Sequence, residues 1–268
     1  MLPYLSIVIV NWNTADLLRD CLRSLAASTV AAGTEIIVVD NGSADDSAAM
    51  VHREFPTVRL IANRDNVGYT RANNQGLAAS EGRYVLLLNS DTLVPPYTLA
   101  ALLAFMERFP QVGACSPQLL RPDGLPQAFA FGSDPTPPYL LRRGLARLIV
   151  RRPLHNWDVR HPLRVDWVSG ACLLLRRAAL VQSGPLDEAI FMYFEDNDLC
   201  RRLRQCGWQV VYYPRVAITH IGGQSLAKNP RARRAYRESL RHFYRKHYGP
   251  LAQCWLASGL WVYERLMG

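Results

Sequence analysis

The sequence predicts an α/β fold: a mostly parallel, Rossmann-like sheet flanked by helices, with a basic, amphipathic helical tail behind it. Three observations carry this. Short apolar runs alternate with stretches of helical periodicity through the first ninety residues. Those runs are apolar throughout instead of alternating with polar residues, as strands covered on both faces are. Their ends carry polar residues, Asn11, Asp40 and Asn89-Ser90-Asp91, and ligands of such sheets bind beyond the strand carboxyl ends. With 268 residues, 49% apolar and 20% charged, the chain can bury a full core, and its composition excludes disorder, collagen and coiled coil.

The elements follow in order. Leu5-Ser6-Ile7-Val8-Ile9-Val10 is a strand, and Leu17, Leu18, Cys21, Leu22 and Leu25 then recur at helical spacing. A cap at Asn13 or Thr14 opens that helix. Residues 35–40 form a second strand, closed by the turn Asn41-Gly42-Ser43. Residues 58–61 and 84–88 are the third and fourth. After Pro95-Pro96 a helix over 99–109 leads to a short strand at 112–115, and residues 117–138, rich in proline and glycine, read as loop. Strand structure is expected over 165–175 around Gly170. A helix over 194–207 puts Leu199, Leu203 and Cys206 on one face, with Gly207 suited to the C′ position. Its first turn holds Glu195, Asp196 and Asp198, where the helix dipole favours anions. Two further strands, 210–213 and 216–220, precede a helical tail that is first basic and then apolar.

The net charge of +9 is unevenly placed. Residues 1–141 carry nine basic and thirteen acidic groups, residues 142–164 seven and one, and residues 226–249 eight and one. Such blocks meet nucleic acid, anionic lipid or phosphorylated substrates. No recognised nucleic-acid motif accompanies them, so nucleic acid is not an expected partner. Six scattered cysteines without a CxxC pair fit a reducing compartment. The N-terminus lacks a charged leader pattern, and no run of about 18 apolar residues occurs. The expectation is a cytoplasmic protein, peripheral on the inner face of the cell membrane.

No GxGxxG, Walker A or HExxH pattern is present, and Gly223-Gln224-Ser225-Leu226-Ala227 lacks the last glycine of a nucleophile elbow. Seven segments, taken together, carry the functional signal: residues 6–14 (SIVIVNWNT), 38–45 (VVDNGSAD), 63–76 (NRDNVGYTRANNQG), 84–92 (YVLLLNSDT), 166–177 (DWVSGACLLLRR), 186–208 with FMYFEDNDLCRRLRQCGW, and 218–225 (ITHIGGQS). In this order they resemble the inverting family-2 glycosyltransferases of GT-A fold, and within them the rhamnosyltransferase-type enzymes of cell-surface polysaccharide assembly.

The resemblance implies a catalytic domain over 1–225, with a nucleotide-binding half to about 115 and an acceptor half beyond, and a helical extension over 226–268. It implies a nucleotide-diphosphate sugar donor, with dTDP-rhamnose the subgroup's guess, contacted by Asn11, Asp40, Asn66, Arg71, Asn74 and Ser90. On turn chemistry alone Asp40 has a second, less favoured reading, a carboxylate closing its own Asx turn. Asn89-Ser90-Asp91 occupies the place of the DxD motif with Asn for its first acid, which leaves Asp91 as one ligand of a divalent cation, Mg²⁺ or Mn²⁺, with His220 as the second. Asp196 of the Glu-Asp pair is the implied base, since inversion needs the acceptor hydroxyl deprotonated opposite the leaving group. Trp167, Gly170 and Glu195 fall on the acceptor side, toward a saccharide or polyprenyl-linked saccharide. Acids in a helix's first turn are also common for dipole reasons alone.

Residues 139–152 and 231–248 interleave leucines or aromatics with arginines, a pattern of membrane-surface helices that equally fits a helix packed on the domain with its basic face in water. Two other classes remain open: a sugar nucleotidyltransferase, disfavoured because no lysine precedes Lys228, and an inactive binding domain.

Overall fold

The computed structural model describes residues 3–29, 33–146, 155–222 and 232–267. Its first half is the expected alternation: β1 (Leu5–Asn11), α1 (Ala15–Ala26), β2 (Thr34–Asp40), α2 (Ser47–Glu54), β3 (Arg59–Ala62), α3 (Tyr69–Ala79) and β4 (Tyr84–Asn89). All residues of β1 are buried, which is why it is apolar on both faces. The chain continues through β5 (Thr92–Leu93), α4 (Thr98–Arg108), β6 (Val112–Leu120), β7 (Phe131–Gly132), α5 (Pro137–Leu145), β8 (Leu163–Arg164), β9 (Trp167–Val168), β10 (Cys172–Arg176), α6 (Arg177–Ser183), α7 (Glu195–Gln205) and β11 (Gln209–His220). Two helices close it, α8 (Ala232–His247) and α9 (Pro250–Met267).

Among the described residues the main sheet has the order β3-β2-β1-β4-β10-β6-β11-β5, with β8 beside β11. The strands from β3 to β4 are parallel, β10 runs antiparallel to both β4 and β6, and β11 is parallel to β6. This register sets the site. Asn11 lies opposite Asp40 at the carboxyl ends of β1 and β2. Because β10 is reversed, the Ser169-Gly170-Ala171 turn before it arrives at that same edge, where the Asn89 N–H donates to the Ala171 carbonyl at 3.0 Å. His220, at the end of β11, pairs with Thr92 of β5 and so stands beside Asp91.

Several boundaries differ from the sequence reading. β6 runs to Leu120, five residues beyond the expected stop, because its second half pairs with β11. The two strands expected over 210–220 are one, bent where the register shifts between Tyr213 and Ala217 around Pro214. The span 117–138 is not all loop: it holds β7 and the start of α5, which Thr136 caps by accepting from the Tyr139 N–H. Neither Asn13 nor Thr14 caps α1 with its side chain, since both are drawn into the network at the strand ends. Of the first basic segment, residues 147–154 lie outside the described residues, as do 223–231 from the motif 218–225 and the start of the tail.

The main core fills both faces of the sheet. A separate apolar cluster joins α8 and α9 to the rest: Phe194 packs with Leu240, Phe243, Tyr244 and Leu256.

Candidate active site

At the β1–β2 end, Asp40 is 3% exposed and fully engaged. Its Oδ1 accepts from Asn11 Nδ2 at 3.0 Å and Ser43 Oγ at 2.6 Å, and its Oδ2 accepts from the Ser43 N–H at 3.0 Å. The carboxylate therefore forms the Asx turn that its sequence allowed. Gly42 in that turn has φ +74°, and a Cβ there would lie 2.7 Å from the Asp65 carbonyl carbon, so only glycine lets the turn meet the next loop. Asn11 Oδ1 accepts from Thr14 Oγ1 at 2.7 Å, and that hydroxyl is 3.1 Å from Ser90 Oγ. Asn11, Asp40 and Ser90 are thus one connected group.

Asn66 accepts from Asn41 Nδ2 and from the Gly68 N–H, both at 3.0 Å, while Asn41 Oδ1 receives Asn63 Nδ2 and the Val67 N–H. The asparagine-rich segment is held by this amide network, whose buried centre, Asn41, the sequence reading did not single out. Arg71 and Asn74 lie elsewhere. Arg71 pairs with Glu188 at 3.1 Å, and Asn74 donates to the Leu186 carbonyl and to Glu188. Both tie α3 to the 186–188 loop.

The second group sits where β4, β10 and β11 end. Asp91 Oδ1 is 3.2 Å from His220 Nε2, and Asp91 Oδ2 accepts from the Gly222 N–H at 3.1 Å. His220 Nδ1 lies 2.9 Å from Gln127 Oε1, an acceptor that holds the ring so that its Nε2 edge turns toward Asp91 and Asn89. Neighbouring ligands of an octahedral ion at about 2.1 Å stand about 3.0 Å apart, so this carboxylate–imidazole pair fits two adjacent positions on Mg²⁺ or Mn²⁺. Among the described residues no group of three or more His, Cys, Asp or Glu side chains converges to hold a metal. A cation here would draw its other ligands from a diphosphate and water.

Asn89 and Tyr69 join this pair to the acids of α7. Asn89 Nδ2 is 3.2 Å from His220 Nε2, and its Oδ1 accepts from the Tyr69 hydroxyl at 2.9 Å. The Tyr69 oxygen is also 3.5 Å from the Gly170 carbonyl, and the Gly170 N–H donates to Asp196 Oδ2 at 3.0 Å. Burial, reinforced by the nearby Glu195 carboxyl, pushes the Tyr69 phenol far above its usual range, so it remains a donor. Asp196 Oδ1 takes a second backbone bond, 2.8 Å from the Asn197 N–H. With the Asn197 amide oriented to satisfy both its groups, its nitrogen donates to Asp196 Oδ1 and its oxygen accepts from Trp167 Nε1, each at 3.1 Å. A Cβ on Gly170 would lie 3.8 Å from the Asp196 Cβ, so the glycine leaves an open face against the acid.

Glu195 differs from its neighbour. It is buried, and its Oε2 has no hydrogen-bond partner. Burial first, and the adjacent Asp196 charge second, push its pKa up to about 8. Burial also raises Asp196, opposed by its bonds to backbone N–H groups. Burial thus favours the neutral form of both acids, while the backbone N–H donors favour charge on Asp196 over Glu195. Tyr193 and Phe194, just before α7, both adopt positive φ (67° and 68°), a conformation costly for aromatic residues. Packing and bonding hold the turn: Phe194 lies in the α8 cluster, Ser239 Oγ donates to the Met192 carbonyl at 2.8 Å, and the Phe191 carbonyl accepts from the Tyr69 N–H at 2.9 Å.

Asn89, Tyr69 and Gln127 were missed as site residues. Asn89 was visible only as a departure from a motif, Tyr69 lay inside a quoted segment, and Gln127, in a stretch read as loop, carried no signal.

A Rossmann-like sheet with this reversed strand, a carboxylate–imidazole pair and a separately held acid is the plan of a GT-A glycosyltransferase. Solved structures agree on the fold. A mannosyltransferase from Pyrobaculum calidifontis, in complex with GDP-Man and Mn²⁺, aligns with a TM-score of 0.64 over 97% of this chain and 69% of its own, at 19% identity. The family model described as "Glycosyltransferase like family 2" matches residues 3–239. The N-acetylglucosaminyl-diphospho-decaprenol L-rhamnosyltransferase of Mycobacterium tuberculosis is 32% identical over 250 residues, 86% of this chain and 80% of its own. A low-salt glycan biosynthesis hexosyltransferase of Haloferax volcanii is 28% identical over 209 residues, 76% of this chain and 63% of its own. The chain belongs to glycosyltransferase family 2.

Proposed function

We propose that this glycosyltransferase moves a sugar, with inversion, from a nucleotide-diphosphate donor to a hydroxyl of a saccharide carried on a lipid diphosphate, in cell-surface polysaccharide synthesis at the inner face of the membrane. The observation that carries this is the continuous line Asp91–His220–Asn89–Tyr69–Gly170–Asp196, which joins a cation-type pair to a base-type acid across one strand edge. The rhamnosyltransferase relative's N-acetylglucosaminyl-diphospho-decaprenol acceptor supports the lipid diphosphate, and the L-rhamnose that it transfers favours a dTDP-rhamnose donor. Residues 1–225 form the catalytic domain, nucleotide half first, and 226–268 its extension.

Asn11, Asp40, Asn66 and Ser90 frame the nucleotide side, with Arg71 and Asn74 bracing the loop beside it. Asp91 and His220 would hold Mg²⁺ or Mn²⁺, which neutralises charge on the departing diphosphate. Asp196 accepts the proton of the acceptor hydroxyl as its oxygen bonds the anomeric carbon and the bond to the diphosphate breaks on the opposite face. Trp167, Gly170 and Glu195 line the acceptor's approach, and the N–H donors on Asp196, which Glu195 lacks on its buried Oε2, favour Asp196 as the charged acid.

Thermal-shift titration with dTDP, UDP, GDP and their sugar conjugates, in Mn²⁺, Mg²⁺ or EDTA, tests the donor site. One nucleotide family should stabilise the protein by about 2.7 kcal/mol at a hundred times its Kd, only with metal, and the Asp91→Ala variant should lose the shift. Asp196→Asn should keep that binding while turnover falls about 10²–10⁴-fold. No shift with any nucleotide would favour an inactive binding domain, and pyrophosphate release from a nucleoside triphosphate and a sugar phosphate a nucleotidyltransferase.

A further inference from the structure

The tail's basic helix does not spend all of its charge on solvent. On α8, Lys246 bridges Asp187 at 2.7 Å and Asp198 at 2.8 Å, His242 reaches Asp187 at 3.0 Å, and His247 reaches Asp198 at 2.7 Å. The outward ridge of α8, Arg234, Glu238, Arg241 and Arg245 at spacings of three or four residues, is exposed, and within it Arg234 pairs with Glu238 at 2.6 Å. The following helix, α9, buries Leu256 against α8 and turns its other face out. Leu251 is 88% exposed there, Trp261 55% and Trp255 37%. No charged residue occurs from Pro250 to Trp261, and the Arg265 guanidinium lies 4.1 Å from the Trp261 ring centroid. The adjoining α5 adds exposed Leu141 and Arg142.

We propose that the outer face of α9, rimmed by the arginines of α8 and α5, docks on an anionic bilayer surface. The stripe from Leu251 to Trp261 is about 15 Å long, suited to lie in the interface, and no helix among the described residues is long and apolar enough to cross a membrane. Tryptophan and arginine side chains favour that boundary because each has an apolar body and a polar end. A second copy is the poorer occupant, since a two-fold contact here would bring together two segments that each carry eight basic groups and one acid over residues 226–249. Because the inner face of α8 is fastened to Asp187 and Asp198 beside the catalytic turn, docking holds the acid of α7 at a fixed depth from the lipid phosphates. The inference rests on the lipid-linked reading of the acceptor for its purpose, and the experiment separates the two.

The full chain is sedimented with vesicles of phosphatidylcholine alone or with 30% phosphatidylglycerol, in low and high salt. Binding is expected on the anionic vesicles, with at least a tenfold fall at high salt and in the double variant Leu251→Glu, Trp261→Glu. The variant should keep its melting temperature and its turnover on a water-soluble, short-chain acceptor diphosphate. Wild-type protein that ignores anionic vesicles overturns the proposal, as does a variant that binds as well as wild type. A wild-type dimer that the variant dissolves, without vesicle binding, assigns the face to a second copy and also overturns it. Vesicle binding without use of any lipid-linked acceptor supports the docking face and overturns the acceptor reading instead.

Discussion

Two adjacent acids at one helix start, both raised by burial, differ in what their oxygens meet. Asp196 is held by the N–H groups of Gly170 and Asn197, whereas Glu195 has a buried oxygen with no partner. Desolvation disfavours the charged form of Glu195, and the neighbouring Asp196 charge adds to it. The sign of its pH dependence follows. Its pKa rises from 4.5 unfolded to about 8 folded, so its contribution to stability is complete below pH 4.5 and is lost as pH rises through about 8. Between those values stability falls as pH rises, because the unfolded chain has released a proton that the folded chain keeps. Glu195→Gln should remove it: melting curves from pH 5 to 9 should be flatter than wild type, with the variant gaining relative stability as pH rises. A wild-type protein equally stable at pH 5 and 8.5, set against a variant with the same profile, would show that Glu195 ionises freely.

At the scale of elements, the turn before α7 is a compromise between backbone cost and packing. Tyr193 and Phe194 adopt left-handed geometry only because α8 supplies an aromatic seat and a buried ionic network beneath α7. Asp198, wholly buried, accepts from Arg202, Lys246 and His247. Burial alone would raise its pKa, but the bonds from His247 and Lys246 outweigh it and lower the value. Asp187 is lowered in the same way, its bonds from Lys246 and His242 outweighing burial. These two acids therefore stabilise the fold above the usual carboxylate range and lose that contribution as pH falls through their lowered pKa values. Asp198→Ala takes from His247 its carboxylate partner and from Arg202 and Lys246 one of their partners inside a buried network, and should cost about 3–5 kcal/mol in urea unfolding. Turnover should fall with it, through a displaced turn, while nucleotide affinity is kept. A loss below about 1 kcal/mol would mean that the network is dispensable.

For the molecule as a whole, the reversed strand β10 is the joint between the parallel strands β1 to β4 and the pair β6 and β11. Arg176 at its end is buried, and its guanidinium donates to the carbonyls of Val112 and Met106, at 3.1 and 2.6 Å, and to the Tyr84 hydroxyl at 3.0 Å. One side chain thus ties β10 to β4, α4 and β6. Arg176→Leu would leave those carbonyls without their donor inside the protein, and by about 1–3 kcal/mol for each unsatisfied group it should lower stability by about 3 kcal/mol or more. Nucleotide affinity in the folded fraction should be unchanged, which denaturant titration and calorimetry together would measure.

The alternation of strand and helix through β4, the polar strand ends and the acids opening α7 were legible in the sequence because each depends on local pattern: burial on both faces makes continuous apolar runs, and helix starts favour acids. The family followed from seven such segments in order. The extent of β6, the single bent β11 and the short β7 were not legible, because edge and bulged strands take their length from partners far along the chain. The site shows the same division. Asp40, Asp91, Asp196 and His220 could be named from motif and residue type, and the Asx turn at Asp40 from its turn residues, but nothing local indicated that Gln127 meets His220 or that Tyr69 and Asn89 lie between the Asp91–His220 pair and Asp196. Residue types and local periodicity are properties of sequence neighbours. Distances between Asp91, Tyr69, Gly170 and Asp196, and the burial that separates Glu195 from Asp196, are set only when the reversed β10 and the helix α8 pack against the sheet.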